Sequence, residues 1–246
     1  MISINDLQVE VEGKNVLNGV NLEIPEGEVH LLLGPNGSGK TSLIMTIMGY
    51  PQYRITGGSI SMNGQDITEL DITERARLGI GLAEQRPPSV SGVKLRMLLD
   101  YILKEHEDKQ ERVLELIKEA NMESFLDRDI NEGLSGGEIK RSEILLLLSR
   151  QPLFAMLDEP DSGVDLDSLE LLSSMINILF SPKKEYPAKR GTGLLITHST
   201  YMLDRIDVDK AHVMIAGELV CSGHPQIIMN KIVDSGFESC IECREK

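Results

Sequence analysis

An apolar run, Val29-His30-Leu31-Leu32-Leu33, stops at a glycine and passes into Gly34-Pro35-Asn36-Gly37-Ser38-Gly39-Lys40-Thr41. No other stretch limits the fold as much. The run reads as a short buried parallel strand, and residues 40–48 continue as a helix. Strand, glycine loop and helix together fit G-x-x-x-x-G-K-[ST], in which backbone N–H groups turn inward around phosphate oxygens. Lys40 is expected to reach the β- and γ-phosphates and the Thr41 hydroxyl to ligate Mg²⁺, with Ser42 behind them. The positive end of the helix faces the same anion. As a bare glycine-rich turn these residues would carry no chemistry; the strand before and the helix after weigh against that.

The remaining pattern supplies strands around this loop. Residues 2–11 alternate, with Ile2, Ile4, Leu7, Val9 and Val11 among polar neighbours, and read as an edge strand. Gly13-Lys14 turns the chain into a second strand, 16–24, and Pro25 to Glu28 is a further turn. Residues 58–62 followed by Asn63-Gly64 read as a hairpin. Residues 80–83 form another buried strand, ending at Glu84-Gln85. From 93 to 150 the spacing turns helical (Val93, Met97, Tyr101, then Val113, Ile117, Ala120), which predicts an inserted helical lobe with almost no strand. Strands return at 153–157, 193–197, 212–216 and 219–221, helices at 166–179 and 225–234, and an exposed loop at 181–191.

Strand 153–157 delivers Asp158 and Glu159 to its C-terminal end, where parallel α/β sheets bind ligands. Asp158 is the expected metal holder, largely through water, and Glu159 the general base that polarises the attacking water. Alone, two acids after an apolar run are more often a solvated strand end. Their place downstream of the phosphate loop favours chemistry. Leu134-Ser135-Gly136-Gly137-Glu138 starts a second long helix. Its serine and glycines form another anion-binding helix start, and Ser135 with Glu138 equally reads as a simple capping box.

Composition excludes other classes. Asp+Glu total 39 against 25 Lys+Arg, a net charge of -14, so the chain as a whole repels nucleic acid. Hydrophobic residues are 41%, enough for a sizeable core. No apolar stretch is long enough to span a bilayer. The first residues lack the basic and apolar regions of a signal peptide, and three cysteines late in the chain make no disulfide framework. A cytoplasmic location is expected.

In their order along the whole chain these motifs resemble the ABC ATPases. Gln85 matches the Q-loop, 134–138 the signature with Glu138 in place of glutamine, Asp158 and Glu159 the Walker B pair, Asp161 to Asp165 the D-loop, and His198 the switch histidine. The resemblance implies an α/β P-loop fold: a catalytic core with a mixed sheet and an N-terminal antiparallel β subdomain (1–85 and 151–246), and a helical subdomain at 86–150. It implies Glu159, His198 and Gln85 as the catalytic set. ATP would be held by Gly34, Pro35, Asn36, Gly37, Ser38, Gly39, Lys40, Thr41 and Ser42, and by Ser135, Gly136, Gly137, Glu138 and Asp165 across a head-to-tail pair of chains. Mg²⁺ would be held by Thr41, Gln85 and Asp158.

Finer features resemble the SufC-type ATPases of the SUF iron–sulfur cluster assembly machinery. They are residues 136–144 after the signature, 159–169 after the Walker B strand, 27–30, 53–58, 88–93 and 223–236. Pro160 departs from the serine of the bacterial members, and the helical lobe is shorter. This resemblance implies a SufB- or SufD-like soluble scaffold as partner, an ATP-dependent homodimer within the complex, and no insertion into a membrane, with docking near Gln85, at 86–97. The alternative is the nucleotide-binding subunit of a membrane ABC transporter. A protein acting on ribosomes or DNA is a third class, disfavoured by the acidic chain and the absence of a second ATPase unit.

Other features carry less. Cys240-x-x-Cys243 with Cys221, expected buried in a strand, supplies too few ligands for a structural Zn or Fe–S site. His30 reads as a satisfied structural histidine, and His106, His212 and His224 as surface or packing residues. Residues 8–16 hold no aromatic, so adenine would rest on Val9, Val11 and Val16 by apolar contact, with weak base selectivity.

Overall fold

All five residues of strand β3 (Val29–Leu33) are buried, so the strand that feeds the glycine loop lies in a sheet covered on both faces. The computed structural model describes residues 1–104, 110–181, 190–237 and 239–240. Its main sheet runs, in spatial order, β12 (Glu218–Gly223), β11 (Lys210–Ile215), β3, β10 (Thr192–Ile196), β9 (Phe154–Asp158) and β6 (Ile80–Ala83). Five strands are parallel, and β12 closes one edge antiparallel to β11.

Period-two alternation divides the core. Leu32, Phe154, Met156, Leu194, Ile196 and Met214 cluster with helix α1 (Lys40–Met48) and a second sheet. Val29, Leu31, Leu33, Ala155, Leu157, Leu195 and Val213 cluster with helices α5 (Gly136–Arg150) and α6 (Leu166–Phe180). Each such side chain larger than alanine contributes about 1.5–3 kcal/mol by leaving water. Buried Arg75, on helix α2 (Ile72–Arg77), donates to the carbonyls of Thr46 and Ile47 at the end of α1 and to those of Thr68 and Leu70. It thereby pins the helix that starts at the glycine loop.

The second sheet is antiparallel, in the order β2 (Lys14–Ile24), β1 (Ile2–Val11), β4 (Arg54–Met62) and β5 (Gln65–Asp66). Strand β1 is interior and not the expected edge, because β2 and β4 pair with its two sides. Alternation reports which face is buried and is silent about how many neighbours a strand has. The Asn63-Gly64 hairpin is present, with φ of 51° and 82° as a type I′ turn requires.

Between β6 and β9 lie β7 (Val90–Lys94), α3 (Leu95–Lys104), α4 (Gln110–Glu119), β8 (Asp129–Ile130) and α5. Strands β7 and β8 pair, so the stretch expected to be nearly strand-free holds a small antiparallel ribbon. The expected stripe Val93-Met97-Tyr101 is also corrected. Met97 and Tyr101 are 54% and 66% exposed, while Leu95 and Leu99 are 2% exposed. Two neighbouring stripes satisfied the same spacing, and Val93 belongs to β7. Val113, Ile117 and Ala120 are buried as expected. Helix α6 ends at Ser181, extended before Pro182. Most of the expected loop at 181–191, with His106 and Cys243, lies outside the described residues. Helices α2 and α7 (Thr200–Leu203) are too short for periodicity to reveal.

Behind the loop, His30 on β3 and His212 on β11 form a buried pair. His30 Nδ1 lies 2.9 Å from His212 Nε2, His30 Nε2 lies 2.8 Å from Glu28, and His212 Nδ1 lies 2.7 Å from Ser222 Oγ. With both rings neutral, one proton order satisfies all three contacts: Ser222 donates to His212, His212 to His30, and His30 to Glu28. A second proton on His30 would force His212 into its other tautomer, turn Ser222 from donor to acceptor and place a charge inside the buried pair. Burial, and next the neighbouring His30, pushes His212 down to about 3, and burial also lowers His30. The fold therefore favours the neutral rings. Their contribution is complete above about pH 6.5, the unfolded value, and is lost as pH falls below it, by up to about 1.4 kcal/mol per pH unit for each histidine. Urea melts at pH 7 and pH 5 should show a smaller acid loss in His212→Gln than in the wild type. An equal loss would remove the assignment.

Candidate functional site

The glycine loop is clamped from behind. Gly34 and Gly39 have φ of 155° and 107°. A Cβ on Gly34 would lie 2.2 Å from the Met214 carbonyl oxygen, and one on Gly39 3.1 Å from that of Val16. From the turn between β11 and β12, Gly217 N–H donates to the Ser38 carbonyl at 2.8 Å, and Asn18 donates to Ala216 and Gly217 at 2.9 Å. Lys40 Nζ folds back to the carbonyls of Gly34 at 2.8 Å and Pro35 at 3.1 Å. Burial lowers the Lys40 pKa, while Glu159 and Asp158 oppose that shift.

Three observations fit a polyanion here. Helix α1 starts behind Gly39 with no side-chain cap, so its first N–H groups are left for a ligand. Ser38 Oγ is buried with no hydrogen-bond partner. The loop also opens on a cavity of about 760 Å³ lined by residues 36–42, Gln85, Glu159, Asn15, Val16, Ala216 and Gly217.

The acids stand at the same edge. Asp158 ends β9 at 1% exposure and accepts a hydrogen bond from the Thr41 side chain. Its Oδ2 has no partner. Burial first and Glu159 next raise its pKa. A buried carboxylate oxygen left unpaired beside a threonine hydroxyl fits a hard cation such as Mg²⁺. Glu159 has φ of 45°, a conformation that costs a non-glycine residue about 1–3 kcal/mol and recurs where function dictates geometry. Its N–H is held by the Ile196 carbonyl at 2.9 Å, and Gln85 Nε2 donates to its Oε2. His198 Nε2 is 3.8 Å from its Oε1. Thr197 Oγ1 donates to Asp161 at 2.7 Å and accepts from Ser199 N–H, fixing the segment that carries His198.

Residues 135–138 and Asp165 assemble elsewhere. Ser135 and Glu138 form the capping box of α5, with Ser135 N–H on Glu138 Oε2 at 2.7 Å and Glu138 N–H on Ser135 Oγ at 3.4 Å. A Cβ on Gly136 would meet the Gly163 carbonyl at 2.4 Å, and one on Gly137 would meet Ser168 Oγ at 2.7 Å. Asp165 caps α6 through Ser168 N–H and Oγ. These five residues form one packed corner and line no part of the cavity at 36–42.

The expected apolar wall for adenine is reduced. Val9 is fully buried, and of the three valines only Val16 lines the cavity, beside Asn15. Asn15 and the turn at Ala216-Gly217 carried no signal in the sequence. Lys140, a lysine on the buried side of α5, could have been found as a charge inside an apolar stripe. Cys240 is buried and Cys221 only half-buried, and no group of three or more metal-binding side chains occurs among the described residues. Nor is any helix among them long and apolar enough to cross a membrane.

Lys40→Ala deletes the one ammonium that lines this cavity among the described residues. Charge-assisted bonds are worth about 1.5–3 kcal/mol each, so nucleotide affinity should fall by about 10- to 100-fold. Titration with a fluorescent ADP checks this, and retained tight binding would reduce the loop to a turn.

Comparison with known proteins agrees with this geometry. The family model described as "ABC transporter" matches residues 17–162, more than half of the chain. Vegetative protein 296 of Bacillus subtilis is 41% identical over 92% of this chain and 88% of its own. The "Probable ATP-dependent transporter SufC" of Escherichia coli K12 is 36% identical over 91% and 92%. Among solved structures, an ATP-binding subunit of an ABC transporter superposes with a TM-score of 0.79 over all of both chains at 21% identity. A post-hydrolysis dimer of an ATP-binding cassette bound to ADP and Pi gives 0.74 over 91% of this chain and 98% of its own, at 22% identity. The chain therefore belongs to the ABC family of ATP-binding, ATP-hydrolysing proteins and resembles its SufC-type members.

Proposed function

We propose that two copies of this chain close on Mg-ATP in the cytoplasm and that hydrolysis remodels a soluble SufB- or SufD-like scaffold on which iron–sulfur clusters are built. The observation that carries this reading is the similarity to SufC along more than nine-tenths of both chains. A second reading, the nucleotide-binding subunit of a membrane transporter, is favoured by a Streptococcus pyogenes relative described as an ABC transporter ATP-binding protein, 40% identical over 91% of this chain. The two readings share every residue of the site and differ in the partner.

Each residue then has a stated task. Lys40, the uncapped start of α1 and residues 34–42 bind the phosphates. Thr41, Asp158 and Gln85 would hold Mg²⁺, which when bound would supply charge that offsets the phosphate oxygens. Glu159 takes the proton of the attacking water, Gln85 orients Glu159, and His198 contacts the γ-phosphate. Residues 135–138 and Asp165 serve the other copy's nucleotide, which accounts for their distance from the cavity of their own chain. We read 86–150 as the lobe that moves against the core of 1–85 and 151–246. We place docking at 86–97; a groove of about 670 Å³, lined by Leu98, Tyr101 and Ile102 of α3 together with Arg77 and Arg150, begins just past that segment and includes none of it.

Glu159→Gln should keep nucleotide affinity, slow turnover by about 10²–10⁴-fold as loss of a general base does, and run as a dimer with ATP in light scattering. Unchanged turnover would contradict the role. Affinity purification from a detergent extract should recover a soluble scaffold with the chain; recovery of integral membrane proteins and no scaffold would favour the transporter reading.

A further inference from the structure

Lys140 lies on α5, five residues beyond Ser135, and is 4% exposed. A buried ammonium is tolerated only when its donors are used. Here Nζ donates to the backbone carbonyls of Glu84 at 2.6 Å and Gln85 at 2.8 Å. Those carbonyls belong to the segment leaving β6, whose Gln85 side chain donates to Glu159. Contacts therefore run without a gap from α5, through the backbone at 84–85, to the carboxylate at the mouth of the nucleotide cavity. Lys140 also stands in the field of Glu143, Asp158, Asp161 and Glu159, which support its charge against burial. The segment is held from two further sides. Tyr50 OH donates to the Glu84 carboxylate, and Glu84 N–H donates to Glu143, three residues beyond Lys140 on α5.

The other end of this helix is the corner formed by Ser135, Gly136 and Gly137. At 1.5 Å per residue Lys140 is about 7.5 Å along the axis from Ser135. A helix moves as a unit over that length, so a shift of its start reaches Lys140 nearly unchanged. A methionine would fill the same volume without the cost of burying charge, so packing alone does not call for lysine.

We propose that Lys140 is a positioning residue: it fixes the backbone at Glu84 and Gln85 so that the Gln85 amide stays on Glu159, and through it the start of α5 is coupled to the hydrolytic site of the same chain. This rests on the roles proposed above for Gln85 and Glu159. When another copy's nucleotide engages residues 135–137, the movement of α5 alters the grip on Gln85.

The test is a double-mutant cycle on the full chain: Lys140→Met, Gln85→Ala and the two combined, with kcat and KM for ATP, ADP affinity and thermal melting for each. Loosened positioning is expected to lower kcat by about tenfold in Lys140→Met, with ADP affinity within about twofold of the wild type because the glycine loop is untouched. The combined variant should be no slower than Gln85→Ala alone, since both changes release the same amide. Lys140→Arg, which keeps charge and donors, should recover most of the rate. If Lys140→Met does not fold, Lys140→Gln replaces it in the cycle. Unchanged kcat in Gln85→Ala would sink the role of Gln85 and this inference with it. A lowered kcat in Gln85→Ala, with losses that multiply in the combined variant, would overturn Lys140 alone.

Discussion

Five parallel strands pass through a core buried on both faces, and parallel strands bring their C-terminal ends to one edge of the sheet. That constraint assembles the site. Strand β3 ends at the glycine loop, β6 at Glu84-Gln85, β9 at Asp158-Glu159, β10 just before Thr197-His198, and β11 at the turn of Ala216-Gly217. Residues separated by more than 180 positions meet because the crossovers between the strands are packed away on the two faces. Strand register sets the fine geometry. Met214 places its carbonyl oxygen where only the Gly34 hydrogen fits, so the loop lies flush against β11 and its amides face outward.

Charge at this edge is balanced within the chain. Lys40 and Lys140 are both buried, and burial lowers the pKa of each, while Asp158 and Glu159 act on both in the opposite sense. The converse holds for Asp158, raised by burial and eased by Thr41 and the two lysines. Each buried ion is tolerable because of its neighbours. The set remains incomplete at two atoms, Ser38 Oγ and Asp158 Oδ2. These lie on the two elements, loop and strand end, that would flank a metal–triphosphate. At these two of the five buried side-chain atoms without a partner among the described residues, the unfilled hydrogen-bonding capacity lies where binding energy is to be gained.

How much could be read from the sequence follows from what each signal encodes. The short buried strands and the spacing Gly34 to Thr41 are local properties, and they emerge with nearly the expected bounds. Residues 135–138 were legible both as an anion site and as a cap, and the cap is what the single chain forms. The failures share a cause. The interior position of β1, the choice of Leu95 and Leu99 over Met97 and Tyr101, and the β7–β8 ribbon are all decided by partners distant in sequence. Alternation and helical period specify a face modulo its neighbours, and tertiary packing chooses among the candidates. The wall formed by Asn15 and Ala216-Gly217 is a meeting of the start of β2 with a turn some 200 residues away, with no local pattern to announce it.

The corner at 135–138 and 163–168 raises a different question: why a glycine pair should sit at a helix start that lines no cavity of its own chain. Part of the answer is steric. Gly136 and Gly137 are pressed against the Gly163 carbonyl and Ser168, and a Cβ at either would push α5 and α6 apart. The same closeness ties Asp165, the cap of α6, to the start of α5, so the two helix starts move together. Two helix N-termini lie side by side, α5 closed by the Ser135–Glu138 box and α6 by Asp165, so their dipole ends meet carboxylates of their own chain. The carboxylates of Glu138, Asp165 and Asp167 offset those ends, in keeping with a chain of net charge -14. In the head-to-tail pair proposed above, the open phosphate loop of one chain would face this packed corner of the other.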